Sequence, residues 1–309
     1  MKKFLILLAV GLMMLSFSGT ALASDYYEFS QYAGSGAEWD VGSFGNTIYW
    51  KDRTTVHFVD VSVADMSKKD EPKYLADGVT PNPNYQTRTF SNEGSVGLTG
   101  STIAGNSIGE LWIDNNYIYT VSNNSIGGEV MAFNKSTGAY VSTAVTGSYT
   151  DAVGHGWGQD TLLSYGGGKW WLGNEDREVY SSTGGAWTHE FNWANMAGSH
   201  GDGMEYVNGH VFVSDMTSNF IAQWDKVAGV WVETNRFAYT ELGGTNKYVE
   251  GMGFGALGHF WAGSGGYIYE LGGGEIQDVI DDVIPEPTTM LLFGVGLLGA
   301  AGIGRRKNG

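Results

Sequence analysis

Phe133-Asn134-Lys135-Ser136-Thr137-Gly138-Ala139-Tyr140 returns as Tyr180-Ser181-Ser182-Thr183-Gly184-Gly185-Ala186-Trp187 and again as Trp224-Asp225-Lys226-Val227-Ala228-Gly229-Val230-Trp231. In each copy an aromatic is followed by Gly at +5 and an aromatic at +7. Two strands joined by a turn explain this spacing, because Gly supplies the positive φ that a tight hairpin needs. Tyr269, Gly274 and Ile276 form a weaker fourth copy.

A second element lies upstream of each copy. An acidic residue stands just ahead of an apolar one, and an aromatic follows some ten residues on. The copies are Glu38 with Tyr49-Trp50, Glu110 with Trp112 and Tyr119, Asp160 with Trp170-Trp171, Asp202 with Phe212, and Glu250 with Phe260-Trp261. Turn formers separate the two halves: Gly45-Asn46, Asn115-Asn116, Gly166–Gly168, Asn208-Gly209 and Leu257-Gly258. This is another hairpin. Two hairpins make four strands per unit, and the acidic marks recur 72, 50, 42 and 48 residues apart. Four strands per 40–50 residues is the period of a β-propeller blade. The expected fold is therefore all-β, a five-bladed β-propeller. Six blades is the alternative count, although a further blade needs a longer gap. The segment Tyr26–Tyr32 is placed as the outer strand of the last blade, which closes the ring and removes a free sheet edge. The long first spacing predicts an insertion over residues 65–101, a surface loop carrying Pro72, Pro81 and Pro83.

Composition agrees. The 48 Gly residues show no Gly-X-Y period, and Pro is nearly missing from the body, so Gly punctuates short strands instead of building collagen or a linker. There is no cysteine, so the fold has no disulfide to hold it and rests on its core.

The N-terminus has the three parts of a secretory leader: Lys2 and Lys3, the apolar run Phe4–Leu15, and the small-x-small site Ala21-Leu22-Ala23. Residues 1–23 are expected to be removed, leaving Ser24 first. The apolar run is too short for a permanent span, which takes about 20 residues. At the other end, Pro285-Glu286-Pro287 is followed by an apolar run at 290–303 and by Arg305-Arg306-Lys307. Setting aside the basic residues of both ends and Glu286 leaves 12 basic and 32 acidic residues in the body, a net charge near −20. Such a surface disfavours nucleic acid, which needs a basic face. It favours divalent cations, cationic partners or simple solubility.

This C-terminal order, a Pro-Glu-Pro triplet, a short apolar segment and a basic end, resembles the PEP-CTERM sorting tail of Gram-negative bacteria, which also circulates as an ice-binding-protein C-terminal motif. The resemblance spans about 25 residues, 285–309. It implies export, arrest in the inner membrane by a short transmembrane helix, and cleavage near Pro285–Pro287 by an exosortase-type transpeptidase. Arg305 and Arg306 would stay cytoplasmic. It further implies a cell-surface or extracellular-matrix protein with exopolysaccharide as partner. The body, 24–284, resembles a generic bacterial surface β-propeller. Val56–Ser62 is similar to one bacterial surface repeat, and Asp202-Gly203-Met204-Glu205 loosely resembles inner strands of gluconolactonase-like propellers. No regular Thr ladder supports ice binding.

Candidate chemistry is sparse. Glu38, Glu110, Asp160, Asp202 and Glu250 occupy the same place in each unit. If that place is the innermost strand, they converge on the axis and repel one another unless a cation or protonation intervenes. Ca²⁺, a hard cation taking oxygen ligands, is the candidate cofactor; the competing reading is a solvated acidic ring, since no dedicated Ca²⁺ loop is present. His155 and His200 stand just ahead of Asp160 and Asp202 as candidate bases or ligands, although isolated histidines are more often structural. Trp157 and Trp193 are candidate rim aromatics for a ligand, against the alternative that they fill space between blades. No nucleophile elbow or phosphate loop is present. A non-enzymatic binding or structural role is thus expected first, and a Ca²⁺-dependent hydrolase or lactonase at the tunnel mouth second.

Overall fold

The computed structural model describes residues 24–34, 41–52, 54–75, 80–101, 111–121, 129–147, 162–174, 177–193, 201–215, 220–239 and 250–281. It is a five-bladed β-propeller. The chain opens with β1 (Ser24–Ala33). Blade one is β2 (Val41–Phe44), β3 (Thr47–Asp52), β4 (Thr55–Ser62) and β5 (Thr89–Gly97). Blade two is β6 (Leu111–Ile113), β7 (Tyr117–Val121), β8 (Val130–Asn134) and β9 (Tyr140–Val145). Blade three is β10 (Leu162–Gly166), β11 (Lys169–Gly173), β12 (Glu178–Ser182) and β13 (Thr188–Asn192). Blade four is β14 (Gly201–Val207), β15 (His210–Asp215), β16 (Phe220–Val227) and β17 (Val230–Tyr239). Blade five is β18 (Glu250–Phe254), β19 (Phe260–Ser264), β20 (Tyr267–Gly272) and, outermost, β1.

The turn chemistry follows the repeats. Ala228-Gly229 joins β16 to β17 with φ of 50° and 86°, and Asn208-Gly209 joins β14 to β15 with φ of 50° and 98°. Both are two-residue turns with two positive φ values, the form whose twist matches that of the strands. Burial is highest in the middle strands and falls at the outermost strand of blades one to four. Every residue of β12 is buried, whereas β5 has none. A central strand has a neighbouring blade on each face, so it reads as a run of apolar and small residues instead of alternating. The core is accordingly five wedges, one between each pair of adjacent blades. Between blades five and one, for example, Val41, Ile48 and Trp50 meet Leu257, Trp261 and Ile268. Each such side chain contributes roughly 1.5–3 kcal/mol on burial.

Ring closure is done by β1. Tyr27 to Ala33 pair antiparallel with β20, while Ser24, Asp25 and Tyr26 pair parallel with Phe237, Ala238 and Tyr239 of β17. The N-terminal strand thus completes blade five and ties it to blade four.

Two expectations need correction. The weak fourth copy of the outer hairpin is not a hairpin: Gly274–Asp281 forms a helix, α1. Because β1 already occupies the outer edge of blade five, the chain after β20 has no strand left to supply. The insertion is also shorter and less free than a surface loop over 65–101. Residues 89–97 are β5, and the stretch before it folds back onto blade five. There Arg88 Nε lies 2.8 Å from Glu270 Oε2 and Arg88 Nη2 lies 2.8 Å from Glu270 Oε1. Ser30 donates to Glu270 at 2.6 Å, and Arg88 also donates to the Gln86 and Lys69 carbonyls. His259 sits between Glu270 Oε1 and Asp70 Oδ1, 2.7 Å from each, with its ring stacked on Phe29 at 4.6 Å. Burial pushes the Glu270 carboxyl up, but the bonds from His259 and Arg88 outweigh it and hold the group below its ordinary value. The insertion therefore clasps the first blade to the last.

No helix among the described residues is long and apolar enough to cross a membrane. The expected leader, residues 1–23, and the apolar segment 290–303 lie outside the described residues.

Candidate functional site

The innermost strands β2, β6, β10, β14 and β18 ring the axis, and at one point their backbones nearly touch. A Cβ on Gly253 would lie 2.6 Å from the Gly42 Cα and 2.8 Å from the Val41 carbonyl oxygen, so only Gly permits β18 to approach β2 this closely. The repeat reading put the five acidic marks at one place in each unit, on the axis if that place is the innermost strand. Asp202 lies in β14 and Glu250 opens β18, and each strand carries a bulge there, between Gly201 and Gly203 and between Glu250 and Met252. The side chains of both lie outside the described residues, as do Glu38, Glu110, Asp160, His155, Trp157 and His200. Among the described residues no group of three His, Asp or Glu side chains is gathered as for a metal ion.

Deeper in the same strands is a carboxyl that the repeat pattern did not single out. Glu205 of β14 is buried, with its residue only 4% exposed. It accepts from the Ser164 hydroxyl of β10 at 2.6 Å and from the Phe254 N–H of β18 at 3.0 Å. Ser164 in turn accepts from the Tyr206 N–H at 2.9 Å. Three consecutive inner strands are thereby tied together through one side chain. Burial pushes Glu205 up to about 8 against the lowering effect of those hydrogen bonds. It is a neutral, donating or accepting group at pH 7, positioned to hold the ring more than to do chemistry. Its only sequence signal was its place in the Asp-Gly-Met-Glu run.

The tryptophans divide by exposure. Trp193, expected on a rim, is fully buried in the wedge between blades three and four, beside Phe191, Val213 and Trp224. Its indole N–H and that of Trp224 meet no hydrogen-bond partner among the described residues. Trp193 is placed for packing and offers no open face to a ligand. A different aromatic group reaches the surface between blades two and three. Trp112 faces Tyr119 across the inner hairpin of blade two, and Tyr165 faces Trp170 across that of blade three. The two pairs meet, with Trp112 to Tyr165 at 5.1 Å and Tyr119 to Trp170 at 4.8 Å between ring centroids. Trp170 is buried, Trp112 and Tyr119 are half-buried, and Tyr165 is 37% exposed. Asp114 borders the group: it accepts from the Tyr119 hydroxyl at 2.9 Å and from the Asn116 and Tyr117 N–H groups, each at 2.7 Å. Burial, then the bond to Asp114, raises the Tyr119 phenol above its usual value. Apolar ring faces beside a fixed carboxylate can stack on and hydrogen-bond a polyhydroxylated ligand.

A further charged group links blades three and four. Glu190 of β13 accepts from Ser181 at 2.7 Å and from the Trp231 indole at 2.9 Å, with Lys226 at 3.2 Å. These outweigh burial and hold the carboxyl at about 2. His210 and Asp225 are hydrogen-bonded on blade four, with Gln223 bridging them. Both groups satisfy themselves internally and read as blade fasteners.

The PEP-CTERM protein-sorting motif matches residues 283–307. No curated protein compared with the chain matches it in sequence. Among solved structures, the chain is similar to the glutaminyl cyclase of Myxococcus xanthus at 11% identity, covering 81% of this chain and 97% of that one with a TM-score of 0.49. It is similar to a streptogramin B lyase at 10% identity, covering 82% and 99% with a TM-score of 0.42. A chain of the mitotic checkpoint complex follows at 11% identity, covering 74% and 61% with a TM-score of 0.36. Likeness at this level says nothing about activity.

Proposed function

We propose that this protein is carried across the inner membrane, held there briefly by its tail, released by an exosortase-type transpeptidase, and delivered to the cell surface or matrix, where the propeller binds extracellular polysaccharide without catalysis. The sorting motif at 283–307 carries the first half of this reading. The half-exposed aromatic group of Trp112, Tyr119 and Tyr165 beside Asp114 supports the second. The test is affinity electrophoresis of residues 24–284 in gels containing the host's exopolysaccharide. Retardation that is weakened by Tyr165→Ala and Trp112→Ala supports the reading; unretarded migration of the parent contradicts the binding role.

A second reading is a Ca²⁺-dependent hydrolase or lactonase at the tunnel mouth. That Asp202 lies in β14 and Glu250 opens β18, two neighbouring inner strands, favours it. A Ca²⁺-specific rise in melting temperature, abolished by Asp202→Asn with Glu250→Gln, is its expected mark. A ligand at about 100 times its Kd adds roughly 2.7 kcal/mol. No shift removes the metal and leaves the acidic residues as a solvated ring.

A further inference from the structure

The turns that follow β2, β6, β10, β14 and β18 lie at one end of the ring. The connections between the third and fourth strands lie there too: the Val61 N–H bonds the Asn46 carbonyl, and the Lys135 N–H bonds the Asn116 carbonyl. At this end blade five is covered. Gln277 of α1 donates to the Gly258 carbonyl at 3.3 Å, and Asp70 of the insertion meets His259 at 2.7 Å. The inner turns of blades two and three are open instead, with Asn115, Asn116, Gly167 and Gly168 all exposed.

The aromatic group of Trp112, Tyr119 and Tyr165 lies beside these open turns, and Tyr165 immediately precedes that of blade three. A second group lies one wedge further on. Tyr206 of β14 stacks on Trp171 of β11 with ring centroids 5.0 Å apart, and Trp171 meets Trp231 of β17 edge-on at 5.7 Å. Trp171 is buried, while Tyr206 and Trp231 are half-buried. Trp231 follows the Ala228-Gly229 turn closely, so it stands at the same end of the ring. Its indole is held by Glu190, and the Lys226 ammonium lies 5.5 Å over its ring. Rings fixed in this way lose little freedom when a ligand stacks on them.

The two groups adjoin across Gly166-Gly167-Gly168. A Cβ on Gly166 would lie 2.1 Å from Tyr206 Cδ1, and one on Gly167 would lie 2.8 Å from the Tyr206 hydroxyl oxygen, so this turn rests directly on Tyr206. Gly167 and Gly168 take positive φ of 60° and 74°. No side chain stands on the turn between the two sets of rings, which leaves a ligand free to pass over it.

We propose that the two groups are subsites of one strip, running from blade two over the glycine turn to the outer strand of blade four, and that the strip takes successive segments of a single linear polysaccharide chain. The inference rests on the binding reading given above and adds to it the second subsite and the extended ligand. Once one segment is stacked at Tyr165, engagement at Trp231 is intramolecular. Affinity then exceeds that of either subsite alone, by about 10²–10⁴ where the linkage fits the span.

The experiment is isothermal titration calorimetry on the protein purified from its host, with size fractions of a partial hydrolysate of the host's exopolysaccharide as probes. Affinity should rise about a hundredfold from di- and trisaccharides to fractions that span both subsites. Trp231→Ala should remove that rise while leaving short-fraction binding at Tyr165 in place. The length series is read on the parent protein, so it decides the matter even if Trp231→Ala does not fold. Equal affinity of short and long fractions overturns the strip and leaves the binding reading standing; so does unchanged long-fraction affinity in a folded Trp231→Ala protein. Absence of binding by every fraction and by the intact polymer overturns both.

Discussion

Replacing Glu205 by Gln should make the protein more stable at neutral pH. The carboxyl is buried between β10, β14 and β18 and titrates at about 8 against an ordinary 4.5. Its folded-state value is raised, so between those two values the unfolded chain is ionised while the folded one keeps its proton. Stability contributed by the neutral group is therefore present below about 4.5 and lost as pH rises toward 8. At pH 7 the loss relative to pH 4.5 is about 3 kcal/mol, at 1.36 kcal/mol for each pH unit between the two ionisations. Gln has the same shape, keeps an oxygen for the Phe254 N–H, and has nothing to ionise. Urea denaturation of residues 24–284 at pH 4.5, 6, 7 and 8 should find parent and Glu205→Gln nearly equal at the lowest pH. They should diverge to about 3 kcal/mol by pH 7, or about 6–12 °C in Tm for a body of this size. Equal pH slopes for the two proteins would refute the reasoning, since Glu205 would then ionise in the folded state without cost.

Three further outcomes follow from the packing. Arg88→Met takes the guanidinium from Glu270, which is fully buried and keeps only Ser30 and His259, and should cost about 3 kcal/mol, the low end for a broken buried ion pair; limited proteolysis should then cut within 63–88, and an unchanged digest would show that the clasp does not hold the insertion. Gly253→Ala drives a Cβ to 2.6 Å from the Gly42 Cα and should destabilise by about 1–3 kcal/mol; a neutral effect on urea unfolding would mean that β2 and β18 can move apart freely. Acid should unfold the protein with the opposite sign to Glu205. Glu270 and Asp70 are held below their ordinary values despite burial, and Glu190 at about 2, so their stabilisation is complete above about pH 4 and is lost as pH falls through those values. Circular dichroism that stays native to pH 2 would contradict this.

The sequence legibly encodes what repeats. Aromatic and Gly spacing in Phe133–Tyr140 and Trp224–Trp231 marks β8–β9 and β16–β17 because a hairpin is a local object, written in consecutive residues. Two of the acidic marks, Asp202 and Glu250, fall on inner strands, and the aromatic-rich N-terminal segment led to ring closure because an unpaired outer edge had to be filled. Blade three shows the limit of the pattern: its positive-φ turn residue is Gly184, not the Gly185 that the +5 spacing selects. What was not legible is pairwise and distant. Arg88 and Glu270 are 182 residues apart, and neither lies in a motif. Glu205 carries its shift because the packing of neighbouring inner strands buries it, which outweighs the lowering bonds from Ser164 and Phe254 on two other blades. The helix α1 escaped because its sequence, Gly274–Asp281, echoes the hairpin spacing; only the prior occupation of the blade-five edge by β1 decides between helix and strand. The aromatic group at Trp112 and Tyr165 was missed in favour of Trp193 because exposure depends on which wedge an aromatic faces, and that is settled by the packing of whole blades.

The central claim is that a closed propeller is exported and loses its tail at the sorting motif. Intact mass and terminal sequencing of the protein recovered from the host's envelope and matrix test it directly. The account predicts a chain beginning at Ser24 and ending in or near Pro285–Pro287, without the apolar segment 290–303. A recovered chain that still carries that segment and runs through Arg305-Arg306 would contradict it.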